Sequence, residues 1–326
     1  MMNVNENRQK RLLDLKSGRE SFLYEVLSGL QKAQKELPCK YFYDQRGSQL
    51  FQHICALEEY YIPRIEVSIM EAYIKEMVEL IGPHVSLIEY GCGDCTKVRI
   101  LLDHLHDPVA YVPIDISQEQ LLRVTKELAL DYPTLEVFPV CADFTRRFEF
   151  PALKRRRNRT VVYFPGSTIG NFHSFQVRQF LKHIAAVCRP GGLLLIGVDL
   201  TKDPALLHRA YNDREGVTAA FNLNLLRRIN HELNSDFQLD CFEHYAFYNP
   251  KESRIEMHLV SLKEQVVHLD NRTISFAKDE SIWTESSYKY NLDEFRQIAA
   301  NAGFKVERVW TDEQRWFSVQ CLVLSA

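Results

Sequence analysis

The amino-acid sequence predicts an α/β fold in which a parallel, doubly wound sheet carries an inserted α+β unit. Strand and helix patterns alternate between residues 86 and 198, and this alternation is typical of a parallel sheet covered by helices on both faces. After Asp199 the alternation stops, and helical periodicity gives way to antiparallel-looking strands. We therefore expect one large sheet and a smaller unit inserted before its last strands.

The elements follow in chain order from the spacing of apolar residues. An amphipathic stretch at 20–36 comes first. The predicted strands of the large sheet are 86–90, 110–114, 135–140, 159–164 and 193–198, with helices at 67–81, 97–104, 118–131 and 174–188. The inserted unit is predicted as a helical stretch at 206–234 and strands at 239–248, 254–262 and 265–276, followed by a helix at 291–301 and a closing antiparallel pair at 305–311 and 316–324.

This order predicts two intertwined domains. One comprises residues 66–200 and 286–326 and carries the large sheet. The other comprises residues 1–65 and 201–285, and we expect it to bind substrate.

Composition narrows the class of protein without identifying it. The chain has 326 residues and a net charge of -3, which gives no general attraction for nucleic acid. The single basic run, 154–159, is interpreted as a solvated loop rather than a phosphate-binding patch. The first residues lack the apolar core of a signal peptide, and no stretch has the length of a membrane span. We expect a soluble, cytoplasmic protein.

The eight cysteines are scattered and form no disulfide framework in a chain of this length. Cys92 and Cys95 form a Cys-x-x-Cys pair, but no second pair completes a tetrahedral metal site. The sequence therefore predicts reduced thiols, packing roles for this pair, and no metal.

The most informative motif is a glycine turn after the first buried strand. Gly91 and Gly93 follow strand 86–90 and provide backbone without a Cβ where the chain must turn tightly. A dinucleotide site would need a third glycine for the pyrophosphate, but residues 94–96 are Asp, Cys and Thr. The turn is suited to a nucleoside that carries no phosphate.

Two carboxylates follow the next strands at matching places. Asp115 ends strand 110–114 and is positioned to accept hydrogen bonds from ribose hydroxyls, and Asp143 is positioned to accept one from an adenine amine. A Gly-x-Gly alone is often only a strand-ending turn. The glycine turn and the two carboxylates, each placed directly after a predicted strand, together favour a pocket for S-adenosylmethionine.

Seven blocks of sequence resemble one family over nearly the whole chain from Tyr41 onward. They are Tyr-Phe-Tyr-Asp at 41–44, Glu-Tyr-Tyr at 59–61, Phe-Pro-Gly-Ser-Thr-Ile-Gly-Asn-Phe at 164–172, Arg-Ala-Tyr-Asn-Asp at 209–213, Gly-Val-Thr-Ala-Ala-Phe-Asn at 216–222, Glu-Met-His-Leu-Val at 256–260 and Thr-Glu-Ser-Ser-Tyr-Lys-Tyr at 284–290. In this order they resemble the histidine-specific N-alpha-methyltransferases of ergothioneine biosynthesis.

The resemblance implies a Rossmann-like class I methyltransferase sheet with an inserted α+β substrate-binding lid. It also implies transfer of three methyl groups from S-adenosylmethionine to the alpha-amine of L-histidine, which gives hercynine. The expected partner is this small-molecule substrate, with no nucleic acid and no membrane, and we expect a monomer.

The resemblance assigns residues to both ligands. For the substrate, it implies that Asn171, Tyr60 and Tyr211 hold the carboxylate and amine and that Glu285, Ser287 and Met257 surround the imidazole. For the cofactor, it implies Tyr43, Gly91, Lys97, Asp115, Asp143 and Phe144, with Lys97 near the methionine carboxylate. Tyr43 and Asn171 are the expected catalytic residues, with the Tyr43 hydroxyl near the transferred methyl, and Phe51 is a candidate to face the growing trimethylammonium.

An imidazole ring requires one acceptor and one hydroxyl that donates or accepts. The i, i+2 spacing of Glu285 and Ser287 places both on one face of an extended segment, and Ser286, which is polar where an aliphatic residue is expected, should point away.

Other interpretations of the same residues remain open. Glu285-x-Ser287 is also a helix-capping signal, and Tyr60, Tyr211 and Met257 would each suit an ordinary core. At the level of function, the alternatives are a methyltransferase acting on another amino acid or imidazole amine, a non-catalytic cofactor-binding subunit and, more remotely, a nicotinamide oxidoreductase.

Overall fold

The computed structural model of the protein describes residues 12–15, 18–146, 148 and 157–325. The strands are β1 (Leu13–Leu15), β2 (Lys35–Glu36), β3 (Val85–Tyr90), β4 (Ala110–Asp115), β5 (Glu136–Val137), β6 (Val140–Ala142), β7 (Arg159–Phe164), β8 (Leu193–Asp199), β9 (Phe242–Asn249), β10 (Arg254–Ser261), β11 (Gln265–Leu269), β12 (Arg272–Phe276), β13 (Ser281–Tyr288), β14 (Phe304–Thr311) and β15 (Phe317–Leu324). The α-helices are α1 (Arg19–Leu30), α2 (Gln45–Ala56), α3 (Ile62–Ile81), α4 (Thr96–Leu102), α5 (Gln118–Asp131), α6 (Ser174–Cys188), α7 (Pro204–Tyr211), α8 (Val217–Leu233) and α9 (Leu292–Ala300).

The large sheet has the strand order β1-β6-β4-β3-β7-β8-β15-β14, with β5 paired to β4. The strands from β1 to β8 pair in parallel. β3, β7 and β8 are apolar on both faces because helices cover both sides, and nearly every one of their residues is buried. The predicted parallel sheet is confirmed.

The sheet ends in an antiparallel pair. β15 runs antiparallel to β8, and β14 antiparallel to β15. The closing pair predicted at 305–311 and 316–324 is therefore confirmed to within one residue at each end.

A smaller sheet, β2-β13-β10-β9, is built mainly from the inserted residues, and β11 and β12 form a separate hairpin. Capping residues fix the helices that pack near it. Asp44 accepts a hydrogen bond from the Gly47 amide at the start of α2 (2.7 Å), and Asp203 accepts one from the Ala205 amide at the start of α7 (2.8 Å).

Three predicted elements are wrong because each is divided into two elements in the structure. The helical stretch 206–234 is divided into α7 and α8, because Asp213 caps α8 through the Val217 and Thr218 amides (both 2.8 Å) and Gly216 adopts a left-handed conformation. The strand 135–140 is divided at Pro139, which has no N–H to donate to a neighbouring strand. The strand 265–276 is a hairpin that turns at residues 270–271, with Asp270 at positive φ.

Two predictions fall on residues that are not described. Residues 154–156 of the basic run 154–159 and the first eleven residues lie outside the described part of the chain. Among the described residues, no helix combines the length and the apolar character that crossing a membrane requires. The predicted division into two domains stays a prediction, and β13 spans its boundary at residues 285 and 286.

Candidate active site

The carboxyl ends of β6, β4 and β3 bring the three predicted cofactor stations to one edge of the large sheet. Gly91 follows β3 at φ +73, and its amide donates to the Ile114 carbonyl on β4 (2.8 Å). The connections reverse direction between β3 and β7, and ligands of doubly wound sheets bind in the crevice at such a point.

Asp115 ties the glycine turn to the end of β4. One carboxylate oxygen accepts from the Gly93 amide (3.1 Å), and the other accepts from the Ser117 amide (2.9 Å). Burial raises the pKa of Asp115, and these backbone hydrogen bonds oppose the rise. Its carboxylate is therefore held rigidly at the place expected for a ribose.

Asp143 and Phe144 lie on the neighbouring strand end. The Asp143 carboxylate accepts from the Thr145 amide (3.0 Å) and from Lys40 (2.9 Å). Burial would raise the pKa of Asp143, but Lys40 and the hydrogen bonds lower it overall. The Phe144 ring lies edge-on to Tyr90 and would be 3.8 Å from a Cβ on Gly91. An apolar wall therefore stands beside the glycine turn, which fits a nucleoside base.

Lys97 forms an ion pair with Glu66, which is fully buried on α3 (2.6 Å). The Glu66 carboxylate also accepts from the Gly166 amide (2.9 Å). Burial would lower the pKa of Lys97, but Glu66 raises it overall. The ion pair thus joins the predicted cofactor lysine to the loop after β7, and the contact of Lys97 with the methionine carboxylate stays a prediction.

A pocket opens beyond the carboxyl end of β7, between that loop and the inserted unit. All six predicted substrate residues line it, namely Tyr60, Asn171, Tyr211, Met257, Glu285 and Ser287. Tyr43 and Phe51 line it as well. The six predicted substrate residues come from five separate segments of the chain. The structure therefore brings together residues that the sequence connects only through their resemblance to one family.

One wall of the pocket is aromatic. Tyr43 lies edge-on to Phe51, with ring centroids 5.6 Å apart, and Phe51 lies edge-on to Tyr60 at 6.4 Å. Tyr60 in turn lies edge-on to Tyr211 at 6.1 Å. Ring faces in such a row attract a cation that has no proton to donate.

The facing wall is formed by β10 and β13. Met257 lies opposite Glu285 in the antiparallel register, while Ser286 lies opposite Glu256. Glu285 and Ser287 line the pocket and Ser286 does not, which confirms the predicted alternation. The capping interpretation of Glu285 and Ser287 is wrong, because both lie within a strand and Asn291 caps α9.

Glu285 is a half-buried acid that lines the pocket, and no described residue forms a hydrogen bond with its carboxylate. Burial raises its pKa to about 7, and Lys289 opposes this rise. Its oxygens are therefore available to a donor that enters the pocket.

Three polar residues that the motif analysis did not assign lie behind Ser287 and Tyr211. Lys289 donates to the Ser287 hydroxyl (2.7 Å) and forms an ion pair with Asp199 (2.8 Å), and Tyr61 also donates to Asp199 (2.8 Å). Lys289 lies in the block 284–290 that resembles the family, and Asp199 ends a buried strand. Only the fold places these residues against the pocket.

Comparison with known proteins agrees with this geometry. A family model described as "Histidine-specific methyltransferase, SAM-dependent" matches residues 22–324. The chain is 38% identical to "Histidine N-alpha-methyltransferase" of Mycolicibacterium smegmatis, over 94% of this chain and 96% of that protein. It is 41% identical to the protein of the same name from Mycobacterium tuberculosis, over 89% and 90% of the two chains.

A fungal relative is longer. "Ergothioneine biosynthesis protein 1" of Neurospora crassa is 29% identical over 85% of this chain, which corresponds to 32% of that protein. The family model and the mycobacterial relatives each cover most of the present chain. The sheet, the pocket and these matches lead to one conclusion: the chain belongs to the S-adenosylmethionine-dependent, histidine-specific methyltransferases.

Proposed function

We propose that the protein transfers three methyl groups in succession to the alpha-amine of L-histidine and releases hercynine, as a step of ergothioneine biosynthesis. The observation that carries this assignment is the half-buried Glu285 carboxylate beside the Ser287 hydroxyl on one wall of the pocket, where no residue in the described part of the chain forms a hydrogen bond with it. An imidazole has one N–H to donate to Glu285 and a second nitrogen for the hydroxyl.

The other end of the substrate meets uncharged groups. The Asn171 amide and the hydroxyls of Tyr60 and Tyr211 line the pocket and hold the carboxylate and the amine. Burial raises the pKa of both tyrosines, so they remain neutral. Neutral groups orient the substrate without adding charge beside a cationic cofactor, and most of the catalysis is this positioning.

S-adenosylmethionine, when bound, supplies an electrophilic methyl group. Gly91, Asp115, Asp143 and Phe144 would hold its nucleoside, and Lys97 would hold its carboxylate. In each transfer the amine nitrogen forms a bond to the methyl carbon, the bond from sulfur to that carbon breaks, and a proton leaves whenever the nitrogen carries one. The Tyr43 hydroxyl lines the pocket and relays this proton toward water.

The division of the chain completes the proposal. Residues 66–200 and 286–326 bind the cofactor, and residues 1–65 and 201–285 bind histidine, with the inserted residues 201–285 acting as a lid. All eight cysteines are thiols, which fits a reducing cytoplasm.

A second candidate is methylation of another amino acid or imidazole amine in the same pocket. Its support is Met257, whose flexible thioether adapts to other rings. The substrate panel below separates the two.

The test is mass spectrometry after incubation with S-adenosylmethionine and an equimolar panel of L-histidine, tryptophan, tyrosine, histamine and carnosine. We expect histidine to gain three methyl groups. Glu285→Ala should abolish the preference for histidine, while the exposed Glu243→Ala on β9 should retain it. Methylation of another amine with histidine untouched supports the second candidate, and no methylation at all contradicts both.

A further inference from the structure

A buried ion pair lies directly behind the wall of the pocket that β10 and β13 form. The Lys289 ammonium and the Asp199 carboxylate are 2.8 Å apart, and neither side chain has any exposed surface. Burial would lower the pKa of Lys289, but Asp199 raises it overall, so the ammonium stays charged. Tyr61 and Lys202 also bind Asp199, which leaves the carboxylate fully engaged.

The three protons of Lys289 all have acceptors. Besides Asp199, the ammonium lies 2.7 Å from the Ser287 hydroxyl oxygen and 3.1 Å from the Tyr211 hydroxyl oxygen. An ammonium has three donors and no acceptor. Each hydroxyl therefore gives one lone pair to Lys289.

The two hydroxyls also bind each other. Tyr211 donates to Ser287 across 2.7 Å. A hydroxyl has one proton and two lone pairs, so both lone pairs of Ser287 are occupied, by Lys289 and by Tyr211. For a hydrogen bond to a ligand, Ser287 therefore has only its proton and Tyr211 has only one lone pair.

We propose that Lys289 is a specificity-determining positioning residue, which fixes Ser287 as a donor and Tyr211 as an acceptor toward the ligand. This inference rests on the proposed function and deepens it. Ser287 then donates to the unprotonated ring nitrogen, ionised Glu285 accepts the ring N–H, and Tyr211 accepts from the alpha-amine. The wall matches a neutral imidazole and opposes a ring without an acceptor nitrogen.

Without Lys289, the hydroxyl of Ser287 is free to rotate. Tyr211 still donates to it, but the position that Lys289 occupied is vacant, so the Ser287 proton can turn away from the pocket. A ring that lacks an acceptor nitrogen then leaves no buried donor unsatisfied. Loss of Lys289 should therefore lower the discrimination between rings more than it lowers turnover in general.

The test compares kcat/KM for L-histidine with kcat/KM for two analogues, β-(pyrrol-2-yl)alanine and β-(pyrrol-3-yl)alanine. Each analogue keeps one ring N–H and replaces the acceptor nitrogen by carbon. We expect the wild-type protein to favour histidine by roughly 100-fold or more over both. In Lys289→Met this ratio should fall at least about tenfold, as expected for the loss of a buried hydrogen bond.

The matched control is Lys202→Met, which removes the other lysine on Asp199 but touches neither pocket hydroxyl. It should keep the wild-type ratio. A structural role of Lys289 would lower kcat/KM equally for all three substrates and leave the ratio unchanged, which would overturn the inference, as would a wild-type ratio near one.

If Lys289→Met does not fold, the double variant Lys289→Met, Asp199→Asn removes the unpaired buried charge and carries the same expectation. Dissociation constants from calorimetry give the same ratio without turnover. Binding of histidine without methylation would contradict the proposed function alone. A wild-type protein that binds histidine no more tightly than the pyrrole analogues would contradict the role of Lys289.

Discussion

Glu285 illustrates how a residue that we propose to bind the substrate weakens the fold that carries it. Burial raises its pKa from 4.5 to about 7, so between these values the folded protein binds more protons than the unfolded chain. The free energy of unfolding therefore falls as the pH rises through this window. Above pH 7 the ionised carboxylate, without ligand, costs on the order of 3 kcal/mol.

Replacing Glu285 by Gln should remove this cost. We expect Glu285→Gln to raise the free energy of unfolding of the ligand-free protein by roughly 2–3 kcal/mol at pH 8 and to change it little at pH 5. Urea denaturation at both pH values measures the difference. Glu243→Gln, on the exposed part of β9, is the control, and an equal change at both pH values would contradict the argument.

Phe51 is expected to act on the last methylation step. Its ring lines the pocket beside Tyr43 and Tyr60, and an aromatic face attracts a quaternary ammonium by about 0.5–2 kcal/mol. Phe51→Leu should therefore slow the third transfer by roughly two- to thirtyfold relative to the first and accumulate dimethylhistidine.

A mass-spectrometric time course of the mono-, di- and trimethyl products measures this effect. The control is Phe175→Leu at an exposed position on α6. An unchanged product ratio in Phe51→Leu would show that Phe51 only packs.

At the scale of elements, β8 and α3 meet where only glycine fits. A Cβ on Gly197 would lie 2.2 Å from a Glu66 carboxylate oxygen and 2.9 Å from the Phe317 ring. Glu66 would have to move, and it holds both Lys97 and the Gly166 amide. The contact between these elements thus connects the core of the sheet with both ligand sites.

Gly197→Ala should destabilise the protein by about 1–3 kcal/mol through overpacking and weaken binding of S-adenosylhomocysteine. Denaturation and calorimetry measure the two effects. Gly18→Ala is the matched control because nothing lies within 4 Å of its Cβ. Wild-type stability in Gly197→Ala would contradict the predicted clash.

The inserted unit is expected to close on its ligands. α7, α8, β10 and β13 all provide residues to the pocket, so a bound histidine would link them to the loop after β7 and shield the reacting groups from water. Histidine with S-adenosylhomocysteine should slow amide hydrogen exchange within residues 201–285, while α9 serves as an internal reference. Unchanged exchange in residues 201–285 would remove the lid from the mechanism.

At the scale of the whole molecule, we expect the protein to be a monomer. Large exposed apolar side chains such as Tyr24, Leu130 and Phe175 lie on separate helices. We expect sedimentation equilibrium to give a single species of 38.1 kDa. A mass that doubles with concentration would contradict the predicted monomer.

The sequence by itself determined the sheet and its cofactor edge. Apolar runs bounded by glycine and acidic residues set β3, β4 and α5 to within a residue, because burial on both faces and helical periodicity are local signals. The turns that divide 206–234 and 265–276 depend on the capping by Asp213 and the positive φ of Asp270, which are weaker signals than the apolar pattern around them.

The tertiary structure decided which polar residues act together. Each of Tyr60, Tyr211, Met257 and Glu285 has an ordinary interpretation in sequence, and only the fold places them around one pocket. The ion pair of Lys289 with Asp199 joins residues far apart in the chain, and the periodicity of apolar residues does not predict it. Donor and acceptor directions depend on distances between side chains, which a linear pattern does not contain.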